Sequence, residues 1–178
     1  FVEGRIQRRG WSPQTAAGTD LDVRKLAALE ALSRHGLATG RMTHSLTITP
    51  GQWPTHAVID WLQVLQRVED VPQRAQRLVQ ARQTLRSRLT QTGTRTVFAN
   101  ESGDQWWWQM QNADANAARL LLLAIDDPEW KDEVPTLATG LLGRQQRGVW
   151  STTTANLWAS LALQQFSRKY ESTPVAGH

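Results

Sequence analysis

The sequence predicts an all-α protein in which helical hairpins stack in a ring or solenoid. Apolar residues recur at helical spacing in one segment after another, and no stretch alternates for long enough to build a sheet. A Gly-x-Trp signature also returns along the chain. From Gly148 to Leu163, Gly148 can take the backbone angles of a tight turn, and Ser151 or a following threonine can cap a helix. In that helix Trp158, Leu161, Ala162 and Gln165 fall at i, i+3, i+4 and i+7, and all but the last are apolar. Beneath it, Gly51, Trp53, Thr55 and Trp61 align with Gly148, Trp150, Thr152 and Trp158, with Pro54 at the helix start. Weaker copies follow Gly10 and Gly103, so the four glycines stand 41, 52 and 45 residues apart. Such a period marks a repeated supersecondary unit, most economically a pair of helices whose faces are buried on their neighbours.

Residues 1 to 19 are polar and read as loop or the stump of an earlier repeat; with neither an initiator Met nor a signal peptide, the chain reads as a piece of something longer. Thr19 or Asp20 can cap a first helix that runs to about Leu37, with Leu26, Ala28, Leu29 and Leu32 on its apolar side and Gly36 as its stop. Residues 38 to 52 read as loop, because the alternation at Leu46-Thr47-Ile48 is too short for a sheet. The second helix, about 54 to 70, carries Val58, Trp61, Leu62, Leu65 and Val68 on one side and ends at Asp70-Val71-Pro72.

Pro72 opens a third helix to about Thr90, with a narrow stripe of Val71, Leu78, Leu85 and Leu89. Around that stripe stand Arg74, Arg77, Arg82, Arg86 and Arg88, which read as a solvated basic face or, more sharply, a docking surface for an acidic neighbour. Gln91 to Gln105 reads as a second loop. A fourth helix, about 109 to 125, is rich in Ala and Leu; a fifth lies within about 128 to 146, interrupted by Pro135 and Gly140. The sixth follows Gly148 and ends near Tyr170, so the helical region spans 20 to 170 and residues 171 to 178 form a tail.

Length allows one domain with a good core, and an apolar share of 40% is ordinary for a soluble protein. Nine tryptophans against one tyrosine are not ordinary, and most of them sit at the repeat heads. Plugging turns and cores is their simplest use, since an indole buries much surface; a carbohydrate platform at Trp106 to Trp108 is the alternative. The net charge of +4 is carried mainly by arginine, without a basic run or interleaved aromatics, so nucleic acid is not an expected partner. The absence of cysteine excludes disulfides, thiolate nucleophiles and cysteine metal sites. The longest apolar run, Leu120 to Ile125, is far too short to cross a bilayer, and no membrane contact is expected of this segment.

Chemistry is hard to place. None of His35, His44, His56 and His178 pairs at i, i+4 with a second ligand type in a helix, and there is no glycine-rich phosphate loop. The acidic cluster Asp126-Asp127-x-Glu129 sits at a helix junction, where helix-start charge explains it. Glu101 and Asp104 beside the tryptophans would be the carboxylates of a sugar-cleaving site, but neither has a partner at a definable distance. No catalytic residue, cofactor or metal is therefore expected, and the sequence argues for a structural or binding module.

The sixth-helix segment, Gly148-x-Trp150-Ser151-Thr152 through Leu163, resembles the Gly-x-aromatic-Ser-Thr signature late in the thioester-containing domain of the α2-macroglobulin and complement family. Trp106-Trp107-Trp108-Gln109-Met110, Asp114, Ala118-Arg119-Leu120-Leu121-Leu122 and Gly140-Leu141-Leu142-x-Arg144-Gln145 resemble its bacterial branch. The resemblance covers about residues 97 to 170 and implies a partial α/α toroid of helical hairpins, the later part of that domain. The family's Cys-x-Glu-Gln thioester has no counterpart here, since no cysteine occurs.

What the resemblance implies is a non-catalytic scaffold fragment of a broad-spectrum protease inhibitor that traps proteases after they cut a bait segment. The implied partners are other domains of the same large chain and, through the intact parent, target proteases. The implied location is the periplasm, with the parent anchored to the inner membrane in many members. An incomplete ring would leave hairpin faces open, so self-association of the fragment is expected. The alternative reading is an α/α-toroid enzyme acting on glycans or isoprenoids; the Asp-x-Asp-Asp motif of the cyclases is missing.

Overall fold

A computed structural model describes residues 17–47, 49–99 and 110–171. Most of these residues are helical, and the chain divides into two compact units, Phe1–Arg86 and Ser87–His178. The sequence reading treats 20 to 170 as one helical stretch.

In the first unit, helix α1 is Ala17–Arg34, α2 is Thr55–Arg67 and α3 is Arg74–Arg86. Helix α2 packs against both α1 and α3. α1 starts earlier than the expected Thr19 or Asp20 cap; Asp20 lies in its first turn and accepts from Arg24 Nε at 2.8 Å. The stop at Gly36 is found: its φ is +67°, Leu37 N–H donates to Leu32 O at 3.0 Å and Gly36 N–H to Ser33 O at 3.2 Å. This pair of bonds is the Schellman arrangement that glycine favours.

The segment between α1 and α2 is not bare loop. It makes two 3₁₀ turns, Gly40–Ser45 and Pro50–Gln52, and is tied to α1 by Asp22, which accepts from Thr47 N–H at 2.8 Å. Lys25 Nζ adds a bond to Ser45 O at 2.8 Å. Gly40 N–H donates to Asp70 Oδ1 at 2.8 Å, and a Cβ at Gly40 would lie 2.2 Å from Asp70 O, so only glycine allows this approach.

α2 departs from the one-sided helix that its apolar spacing predicts. Every residue from Thr55 to Leu65 is buried, the polar His56, Asp60 and Gln63 included. α3 is shorter than expected, because the chain leaves the helix after Arg86 and starts a strand at Leu89. Its buried residues are Ala81 and Leu85, with Val71 buried just before it; Leu78 is half-buried and Val79 exposed.

The second unit opens with the largest correction to the sequence reading. Strands β1, Leu89–Thr92, and β2, Arg95–Phe98, pair antiparallel where a helix end and a loop are expected. Thr92 pairs with Arg95 across Gly93 and Thr94; Gly93 has φ +60° and Thr94 does not share it, the sign pattern of a type II′ hairpin turn.

Helix α4, Ala113–Ala124, then α5, Val134–Leu142, and α6, Thr153–Phe166, complete the unit, with a π turn at Ser167–Glu171 after α6. α4 packs chiefly on α6, and β2 packs on α5. α5 is continuous through Pro135 and Gly140 rather than interrupted by them. Pro135 falls in the first turn, where its missing N–H is harmless, and Gly140 admits the hairpin backbone, since a Cβ there would lie 2.2 Å from Thr96 O. The Thr96 and Thr136 hydroxyls meet at 2.7 Å beside it. Between hairpin, α4 and α5 lies a cavity of about 10 Å³ bordered by Phe98, Leu120 and Leu137, room for roughly one water.

Candidate functional site

The two better copies of the Gly-x-Trp motif fall at two helix heads, one in each unit. At the start of α6 the chain makes a two-residue turn between Gln146 and Val149, which exchange backbone bonds at 2.9 and 3.2 Å. Arg147 and Gly148 both have positive φ, 54° and 83°, as a type I′ turn requires. Trp150 leaves this turn buried, and its Nε1–H donates at 3.0 Å to Leu141 O at the C-terminal end of α5, a carbonyl that also accepts from Arg144 N–H at 3.2 Å. Thr152 caps α6 by accepting from Ala155 N–H at 3.2 Å. Asn156 holds the approach from inside the helix: its amide accepts from Trp150 N–H at 3.2 Å and donates to Trp150 O at 2.9 Å and Thr152 O at 2.7 Å.

Below this head lies Asp114, in the first turn of α4 and only 9% exposed. One of its oxygens accepts from Arg144 Nε at 2.7 Å; the other accepts from Ser151 N–H at 3.0 Å and Ser151 Oγ at 2.6 Å. Burial pushes the Asp114 carboxyl up, but the Ser151 hydroxyl, the Ser151 N–H and the Arg144 guanidinium outweigh it and hold the group below the ordinary aspartate value. Asn112 caps α4 by accepting from Ala115 N–H at 2.8 Å, and its amide also donates to Ser151 Oγ at 3.2 Å and Thr152 Oγ1 at 3.1 Å. The carboxylate thus joins three segments: the head of α4, the end of α5 and the head of α6.

The first copy of the motif is built differently. Gly51 sits in the Pro50–Gln52 3₁₀ turn without a positive φ, and Pro54 rather than a threonine takes the N-cap position of α2. α2 therefore begins one aligned position earlier than α6. Trp53 is buried and meets Trp61 edge-on, with ring centroids 6.0 Å apart and planes at 78°.

The second tryptophans share a feature that the sequence does not reveal, since each lies under a guanidinium from a neighbouring helix. Arg77 of α3 stands 5.9 Å from the Trp61 ring and Arg119 of α4 stands 5.4 Å from Trp158. Their burial differs: Trp61 is 3% exposed and Trp158 half-buried, because α6 buries only Ala155, Ala159 and Ala162 fully.

The five arginines do not present one open face. Arg74 donates from Nε to Leu65 O at 2.6 Å and from Nη2 to Gln66 O at 3.0 Å, closing the end of α2, and Arg77 lies on Trp61. Arg82, Arg86 and Arg88 each have an interaction of their own, and Arg88 belongs to the second unit, past the end of α3. Asp127 of the acidic cluster caps the 3₁₀ turn Pro128–Trp130 by accepting from Glu129 N–H at 3.1 Å. Asp126 accepts from Gln165 Nε2 at 2.6 Å and Lys169 Nζ at 3.1 Å. The copies at Gly10 and Gly103, the Trp106 to Trp108 cluster, Glu101, Asp104 and His178 lie outside the described residues. Among the described residues no group of His, Cys, Asp or Glu is arranged to hold a metal ion, and no helix is long and apolar enough to cross a membrane.

Asp114 and Arg144 enter the sequence reading only as parts of the macroglobulin-like motif, with no role attached, while Ser151 is a candidate helix cap, a place that Thr152 takes instead. The local signal for their use is Asn112 and Asp114 at a helix start, a cap followed by a first-turn acid. Compared with family models, curated proteins and solved structures, the chain matches none of them.

Proposed function

We propose that this chain is a non-catalytic scaffold, part of the helical domain of a bacterial α2-macroglobulin-like protease trap. The observation that carries the reading is the use made of Asp114. A buried carboxylate beside a serine hydroxyl could serve acid–base chemistry, yet here it accepts three bonds that fasten helix ends together. Its carboxyl is held ionised, suited to a permanent latch rather than to proton exchange near neutral pH. Asp114, Arg144 and Ser151 are among the residues that carry the macroglobulin resemblance.

In this reading the helix pairs are hairpins of a partial α/α toroid, the fragment packs against other domains of a larger periplasmic parent, and target proteases are met by that parent. The test is an immunoblot of native cell fractions, with antibody raised to this chain, before and after added protease. A very large periplasmic band cut at a few discrete places is expected. A band of ordinary enzyme size, indifferent to protease, would overturn the proposal and favour a toroid enzyme acting on glycans or isoprenoids.

A further inference from the structure

We draw no further inference here: the strongest candidate, the outward face of α6 on which Leu157 and Leu161 stand exposed, is an unpartnered apolar face and nothing in the structure shows what covers it.

Discussion

Replacing Asp114 with alanine removes the acceptor for Arg144 Nε, Ser151 N–H and Ser151 Oγ at once. Breaking a buried ion pair costs about 3–5 kcal/mol. The Arg144 side chain keeps 16% of its exposure and Ser151 is open to solvent, so water recovers part of this. The expected loss for Asp114→Ala is about 3 kcal/mol, or a fall in Tm of roughly 6–12 °C for a chain of this length. Asp114→Asn keeps the shape, but its amide can accept on one side only and sets an NH₂ against a donor on the other, so about 2 kcal/mol is expected.

The assay is urea unfolding followed by tryptophan emission, repeated across pH. Because the folded Asp114 pKa lies below its unfolded value, its contribution is complete above about pH 3.9 and is lost as pH falls through the folded value. Asp114→Asn therefore flattens the acid limb of the stability profile. A loss under about 0.5 kcal/mol for Asp114→Ala, or an acid limb unchanged in Asp114→Asn, would refute the latch.

Other substitutions probe separate parts of the fold. Gly140→Ala drives a Cβ against the Thr96 carbonyl and should cost about 3 kcal/mol, whereas Gly143→Ala meets only the movable end of Arg95 and should cost less; thermal melts of the pair give the comparison. Trp150→Phe removes the bond to Leu141 O, worth about 1–2 kcal/mol, and also part of a buried ring, so a total loss under about 1 kcal/mol by urea unfolding would count against the bond. Glu30 is raised by burial but lowered further by Arg34 and Arg67, which bond it at 2.8 Å each. Its contribution is complete above about pH 4.3 and is lost as pH falls through the lower folded value. Glu30→Gln should cost about 1 kcal/mol at neutral pH, the two arginines being well solvated, and less in acid. Gly148→Ala has open space but the wrong φ, and a loss of roughly 1–2 kcal/mol in a thermal melt separates backbone strain from crowding.

The helices were legible because their signals are local. Gly36 ends α1 by its own backbone freedom, and the period of Val58, Trp61, Leu62 and Leu65 marks α2 whatever surrounds it. The polar residues of α2 were not legible as buried, since burial on every side is decided by neighbours rather than by spacing. The hairpin was missed because β1 and β2 carry threonines and glutamine instead of alternating apolar residues; what stabilises it is the approach of Thr96 to Gly140, 44 positions away. The candidate site was half legible. Gly148 announces the turn, but the spacing of Trp158, Leu161 and Ala162 misplaces the buried face of α6, which is Ala155, Ala159 and Ala162 with Leu161 exposed. Asp114, Arg144 and Ser151 become one unit only when α4, α5 and α6 are assembled.

The close approaches at Gly40 and Gly140 also bear on how relatives of this chain are to be found. A tryptophan at a helix head can drift to another aromatic and still fill its space. A glycine whose Cβ would strike a carbonyl 2.2 Å away admits no drift unless the facing backbone moves as well. Two such positions, a hundred residues apart and one in each unit, make stricter anchors for a sequence profile than the tryptophans at the two described helix heads. A diverged homologue that kept both contacts would betray itself by those two glycines after its aromatic heads had been erased.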